Sequence, residues 1–272
     1  ETVDVTITAR PVTFTGNSGT VAYTGSEQSV TGFTTNDGEG TGLVAGQTSN
    51  VSAEAKGTVA GTYTGTITAK DDVVIMGGED VTANYDVTVT GRLSITKAGS
   101  SQFTGAVTLD DWTYGDEAKA EQPSVTPEGS DYLAPSYTYK KATDGDDAWT
   151  AVKPTDAGDY VVKATWAATE NCDEISATDP FTIEKRDLDV YAEDSRVYNG
   201  SDQTLDITAG DITEDCDGLA DGQQLNIDAS ITGKDVADYT TLDEGAAWTV
   251  TVTEGGEDVT ANYDVTVTGR LS

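Results

Sequence analysis

The chain contains no histidine at any of its 272 positions, only two cysteines, and 15 lysines and arginines against 48 aspartates and glutamates. Without histidine there is no Ser-His-Asp triad and no His-bearing metal site, and the usual general base near neutral pH is missing. A formal charge of −33 repels a polyanion on every approach, which excludes nucleic acid as a partner and disfavours anionic membrane surfaces. No apolar run reaches about 18 residues, so no membrane insertion is expected within this segment. The first residues, ETVDVTITA, read as a strand and not as a signal peptide, so the segment is expected to come from a longer protein. No phosphate-binding glycine loop, dinucleotide fingerprint or Gly-x-Ser-x-Gly elbow occurs. Paired carboxylates remain, but with 48 acids close pairs are inevitable and none singles out a glycosidase site. No catalytic, cofactor-binding or metal-binding residue is assigned, and the chain reads as non-enzymatic.

What is present is a copied stretch. Residues 77–94 and 255–272 both read GGEDVTANYDVTVTGRLS, identical at all 18 positions, so the polypeptide is an array of duplicated modules. Within the copy, Tyr85, Val87 and Val89 alternate with Asp86, Thr88 and Thr90, the two-residue period of a strand with one buried face. Thr90 and Gly91 are expected to make a tight turn, with Leu93 and Ile95 resuming the alternation as the second arm of a closing hairpin. Asp80 is expected to cap a short turn over residues 81–84 through its carboxylate.

The motifs Val5-Thr6-Ile7, Leu93-Ser94-Ile95 and Phe181-Thr182-Ile183 start at positions 5, 93 and 181, an equal spacing that marks module ends. The boundaries read from them give an end strand of a preceding or shared module over 1–10, type A modules over 11–98 and 186–272, and a type B module over 99–185. Strands are expected over 12–15, 20–23, 28–34, 48–55, 62–69 and 73–76, with turn residues between them at sandwich-like intervals. The third module repeats the order: Tyr198-Asn199-Gly200 parallels Tyr23-Thr24-Gly25, and Leu219-Ala220-Asp221-Gly222-Gln223 parallels Leu43-Val44-Ala45-Gly46-Gln47. The middle module carries Trp112, Tyr114, Tyr137, Tyr139, Trp149 and Trp166 and so a larger aromatic content.

Each module places a tyrosine just after a turn: Ala60-Gly61-Thr62-Tyr63, Ala157-Gly158-Asp159-Tyr160 and Ala237-Asp238-Tyr239. Tyr63, Tyr160 and Tyr239 match the tyrosine corner of immunoglobulin-like sandwiches, in which the phenol bonds back to the preceding loop. The fold class is therefore all-β, three tandem Ig-like sandwich modules in an elongated array. The alternative, a β-grasp-like module, needs a helix across a sheet, and no amphipathic stretch long enough is present.

Together the Tyr-x-Gly elements, the Trp112-Thr113-Tyr114-Gly115-Asp116 opening, the Ala-Gly-x-Tyr turns and the terminal Asn-Tyr-Asp-Val with Leu-x-Ile-Thr resemble the YDG and MBG type repeats of large bacterial cell-surface proteins. The resemblance spans nearly the whole chain, with Thr24 and Asn199 replacing the Asp of Tyr-Asp-Gly. It implies an extracellular spacer or stalk at the bacterial cell surface, built of non-enzymatic adhesin repeats whose partners are neighbouring repeats of the same polypeptide. The alternative is that the middle module binds a host glycan or protein through its aromatic residues. Trp112, Trp149 and Trp166 buried would favour the spacer; two or more on one exposed patch would favour binding.

Three further features are open in the sequence. Cys172 and Cys216 lie in similar acidic loops of adjoining modules, where they would either form an inter-module disulfide or remain unpaired thiols. The acidic loops at Asp144, Asp146 and Asp147, and at Asp211, Glu214, Asp215, Asp217 and Asp221, offer oxygen ligands for calcium but keep no EF-hand spacing, so plain acidic turns are the competing reading. No spacing selects a Lys and Asn pair for an isopeptide cross-link.

Overall fold

Short alternating runs rich in Val, Thr, Ile and Tyr, broken by glycine, give strands. In a computed structural model of the chain, residues 3, 5–63, 66–91, 93–242 and 249–272 are described. The first eleven strands are Arg10–Gly16 (β1), Gly19–Ala22 (β2), Gln28–Thr31 (β3), Phe33–Thr35 (β4), Thr48–Ser49 (β5), Ala53–Gly57 (β6), Gly61–Tyr63 (β7), Thr66–Ile67 (β8), Ile75–Met76 (β9), Tyr85–Thr90 (β10) and Leu93–Thr96 (β11). The middle stretch adds Thr104–Thr108 (β12), Trp112–Thr113 (β13), Gln122–Thr126 (β14), Ser136–Lys141 (β15), Gly158–Trp166 (β16) and Ile175–Glu184 (β17). The last strands are Arg186–Asp194 (β18), Gln203–Ile207 (β19), Gln224–Gly233 (β20), Thr249–Glu254 (β21), Glu257–Asp258 (β22) and Tyr263–Leu271 (β23). Only single 3-10 turns interrupt them among the described residues. No helix lies across any sheet there, so the β-grasp alternative is set aside and the fold is all-β and Ig-like.

The strands expected in the first module form with two breaks. The run 28–34 divides at Gly32, whose φ of 88° is open to glycine and strained for other residues. The run 48–55 divides into β5 and β6. Of the run 62–69, residues 64 and 65 lie outside the described residues, as do 1, 2 and 4 of the first ten. No strand forms over residues 5–9; Val5 and Ile7 are 82% and 94% exposed, and pairing begins at Arg10.

The closing hairpin is not formed either. β10 pairs in parallel with β1, from Arg10 opposite Tyr85 to Thr15 opposite Thr90, while β11 pairs in parallel with β2 in another sheet. In the second copy the same residues form one unbroken strand, β23, parallel to β18. Gly91 and Gly269 do not have positive φ, as a two-residue hairpin turn would require. They serve close approach instead: a Cβ on Gly91 would stand 3.1 Å from Gly16 Cα, and one on Gly269 2.9 Å from the Ala192 carbonyl oxygen.

The chain divides into two compact units, Glu1–Ala106 with Ser124–Ser136 and Thr165–Ser176, and Val107–Pro123 with Tyr137–Ala164 and Ala177–Ser272. In the first, Val12, Phe14, Tyr85 and Val87 of β1 and β10 pack against Val51, Val73 and Ile75. In the second, Leu188, Val190, Ile207, Ile231 and Val252 are buried at 2% exposure or less, and Phe181 stacks on Trp112 and Tyr160 at 5.3 and 5.6 Å. Each such aliphatic or aromatic side chain contributes about 1.5–3 kcal/mol of transfer free energy.

Candidate functional site

Two joints, where one sequence segment meets the next, hold most of the buried polar side chains. At the first, β2 leads directly into Tyr23, which is 7% exposed and lies against Phe103 with ring centres 6.2 Å apart. Its phenol donates to the Gly129 carbonyl at 3.2 Å. The glycine two residues on, Gly25, has φ 79°, and any Cβ there would stand 2.0 Å from the same Gly129 oxygen. Only glycine permits that approach. Burial first, and then the charge of Asp131, raise the pKa of Tyr23 and keep it a neutral donor.

The turn before Tyr63 supplies the second contact, as the Ala60 N–H donates to Asn171 Oδ1 at 2.6 Å. Asn171 is aimed by Asp131, whose Oδ2 accepts from Asn171 Nδ2 at 2.8 Å while Oδ1 accepts from Thr169 Oγ1 at 2.6 Å. With its amide nitrogen fixed on a carboxylate, Asn171 must present its oxygen to Ala60. Burial works against the Asp131 charge, but bonds from Thr169, Cys172 and Asn171 outweigh it and hold that carboxyl below its usual range. Burial, and then Cys172, push the neighbouring Tyr132 up to about 12.

The second joint repeats the scheme with different residues. Tyr114 is 6% exposed, stands edge-on to Tyr263 at 5.6 Å, and accepts from Gln223 Nε2 at 2.8 Å. A Cβ on the following Gly115, φ 83°, would meet Ala220 Cβ at 2.6 Å. The Ala157 N–H donates to Asn262 Oδ1 at 2.8 Å, and Asn262 Nδ2 donates to Asp156 at 3.2 Å. Arg186 binds Gly218 and Asp217 carbonyls at 3.0 and 2.8 Å with one edge, and Asp116 at 2.9 Å with the other. Tyr263, from the copied stretch, accepts the Ala220 N–H at 3.0 Å and donates to Gln223 Oε1.

Tyr63, Tyr160 and Tyr239 make one and the same bond: each phenol donates to the carbonyl four residues upstream, Val59, Asp156 and Asp235, at 2.6, 3.0 and 3.1 Å. At Tyr63 and Tyr160 these bonds fix the turns whose N–H groups enter the joints.

The two cysteines are free thiols, so the disulfide alternative is not realised. Cys172 is fully buried beside Asp131, and burial raises its pKa; Cys216 is half-buried and donates to Thr213 in its own loop at 3.4 Å. In the acidic loops three of the carboxylates have other partners. Asp146 accepts from Lys140 at 3.0 Å, Asp211 accepts from Thr208 at 2.7 Å, and Asp217 accepts from the Asp187 N–H at 3.3 Å. Among the described residues no three acidic or thiol side chains converge as a metal cluster would. Trp112 and Trp166 are buried at 6% and 3% exposure, and Trp149 is half-buried with Lys140 and Lys163 over its ring at 5.1 and 4.3 Å. Among the described residues no helix is long and apolar enough to cross a membrane.

The Tyr-x-Gly at Tyr23 and the Tyr-Gly at Tyr114 are visible in the sequence, but the task of those residues is not. Asn171 and Arg186 carry no sequence signal, and the copied stretch that holds Asn262 does not reveal its partner, since nothing in one strand shows which turn of the next segment will face it.

No protein-family model and no curated protein matches the chain. Among solved structures it is similar to the three N-terminal domains of the bacteriophage RB49 Highly Immunogenic Outer Capsid protein (Hoc), at 16% identity over 88% of this chain and 78% of that chain, TM-score 0.25. It is also similar to Drosophila N-cadherin EC1-4, at 11% identity over 96% and 75%, TM-score 0.21. Likenesses at those TM-scores define no common arrangement.

Proposed function

We propose that this chain is a structural spacer, a run of non-enzymatic repeats in a large bacterial cell-surface adhesin of the YDG and MBG type, acting outside the cell by holding successive modules in fixed joints. One observation carries the reading: most of the middle module's aromatic groups, which a glycan- or protein-binding patch there would expose, lie inside. Tyr23, Tyr114, Trp112 and Trp166 are all at or below 7% exposure. Trp149 alone is half-open among these, and one ring beside two lysines is no concave aromatic platform. That weighs against the glycan-binding alternative, whose criterion was two or more tryptophans on one exposed patch.

The test is replacement in the parent adhesin. Exchanging residues 11–272 for an unrelated sandwich array of equal reach should leave attachment to host cells unchanged, and the isolated chain should bind nothing on glycan or matrix-protein arrays. Attachment lost on exchange, together with a glycan or protein captured by the isolated chain, would establish the binding alternative instead.

A further inference from the structure

The joint has three upstream halves in this chain, and only two of them are filled. Tyr23, Tyr114 and Tyr198 each open a Tyr-x-Gly or Tyr-Gly element, yet they are 7%, 6% and 58% exposed. Gly25 and Gly115 are pressed against the next segment; Gly200 has the same φ as Gly25, 79°, but a Cβ there would meet only the Tyr198 hydroxyl at 3.9 Å. The turn N–H three residues before the corner tyrosine is taken by Asn171 at Ala60 and by Asn262 at Ala157. At the matching place before Tyr239 stands Val236, 90% exposed and without a hydrogen bond among the described residues. Val197, beside Tyr198, is 89% exposed. Between these groups lies an open pocket of about 340 Å³ lined by Tyr198, Gln203, Gly233, Val236, Tyr239 and Leu271. Three separate markers of a filled joint are thus all present and all unoccupied at one place.

We infer that this face of the third segment is a docking surface for a further type B module, one that presents an aromatic side chain to Tyr198 as Phe103 does to Tyr23, and an asparagine carbonyl to the Val236 N–H as Asn171 does to Ala60. The occupant is specified by continuity with the first joint. Residues 255–272 repeat residues 77–94, so the chain arrives at this face through the sequence by which it arrives at the first joint, and Leu271 itself lines the pocket. Tyr198 and Val236 bring exposed apolar surface to a pocket whose rim also carries Arg196, Lys234, Asp235 and Asp238, and covering that apolar surface gains what covering Tyr23 gains. The inference rests on the spacer reading only in taking the neighbour to be a module of the same chain.

The experiment uses the whole chain. Residues 95–272 are appended after Ser272, so that the original third segment is continued by the residues that continue the first, and Tyr198→Phe is introduced in the appended copy so that only the internal phenol reports. Nitration of Tyr198 and hydrogen exchange at the Val236 amide should both slow by about tenfold or more relative to the unextended chain, as burial demands. Asn171→Ala in the appended copy should restore exchange at Val236 while the appended segment still unfolds cooperatively. If Tyr198 stays as reactive in the extended chain as before, with the appended segment folded, the docking inference is wrong and the spacer reading stands untouched. Protection that appears in the unextended chain on raising its concentration would assign the face to a second copy instead, and would also overturn the inference.

Discussion

The two copies of GGEDVTANYDVTVTGRLS are the same sequence in two surroundings, and they separate what is local from what is not. The turn is local. In both copies it is a single 3-10 turn, Thr82–Asn84 and Thr260–Asn262, entered through Val81 at φ −115°, ψ 10° and Val259 at φ −114°, ψ 12°. In both, the aspartate before it accepts the Thr N–H at 2.9 Å and the Thr hydroxyl at 2.6 Å, and those bonds, the hydroxyl first, hold Asp80 and Asp258 below the usual carboxylate range. The strand beyond the turn is set from outside. The first copy divides into β10 and β11 in two sheets; the second runs on as β23. Asn84 is exposed, whereas Asn262 is 6% exposed, because a corner turn lies over only the second of them. Sequence sets the shape of the turn, and the neighbouring segment decides whether the turn is a surface or a joint.

The largest effect is expected at the copied tyrosines. Tyr85 and Tyr263 each accept a loop N–H, from Val44 at 3.1 Å and Ala220 at 3.0 Å, and each donates to a glutamine carbonyl. Changing either to Phe strands two polar groups, each at a cost of about 1–3 kcal/mol when buried. Tyr263→Phe should destabilise more than Tyr85→Phe, because Gln223 also donates to Tyr114 and the second joint loosens with it. Urea unfolding of the two variants decides this; equal losses would show that the joint adds nothing to the clamp.

A sharper contrast is expected one residue earlier. Asn262→Ala leaves the Ala157 N–H without its acceptor and should cost about 1–3 kcal/mol. Asn84→Ala, at an exposed side chain, should fall within about 0.5 kcal/mol of the parent. A loss at Asn84 as large as at Asn262 would mean that the residue matters to the turn and not to the joint.

Acid should distinguish the joints from each other. Asp131 holds Asn171, and its pKa in the folded chain is depressed, so its contribution is complete above the unfolded Asp value of about 3.9 and disappears as pH falls through the lower folded value. Protection of the Ala60 amide, taken relative to its intrinsic exchange rate at each pH, should therefore fall in that acid window, and Asp131→Asn should flatten the dependence. An acid limb that persists in the variant would place the titrating group elsewhere.

Much of the fold is legible in the sequence. The alternation at Tyr85, Val87 and Val89, the Asp80 cap and the positions of Tyr63, Tyr160 and Tyr239 are properties of a few adjacent residues, and local chemistry determines them. The hairpin reading fails at Thr90 and Gly91 because a turn and a tight parallel approach both call for glycine, and only the partner strand distinguishes the two. Asn171 and Asn262 are illegible for a related reason. An asparagine in a polar loop carries no mark until the turn that it faces is known, and those turns lie 111 and 105 residues away.

The smallest effect is expected at the cysteines, which differ in surroundings though their loops read alike as Glu-Asn-Cys-Asp and Glu-Asp-Cys-Asp. Cys172 is at 0% exposure within the first joint, and burial raises its pKa, which lowers both its thiolate fraction and its access to reagents. Cys216 is half-buried with its thiol on its own loop carbonyl. Native protein treated with a thiol reagent at neutral pH should therefore show one thiol reacting early, at Cys216, and a second appearing only on unfolding, with stability unchanged by Cys216→Ser. Two thiols reacting at one rate in the native protein would mean that the first joint opens as easily as an exposed loop. That would remove the distinction between a filled joint and a surface turn on which the comparison of the two copies depends.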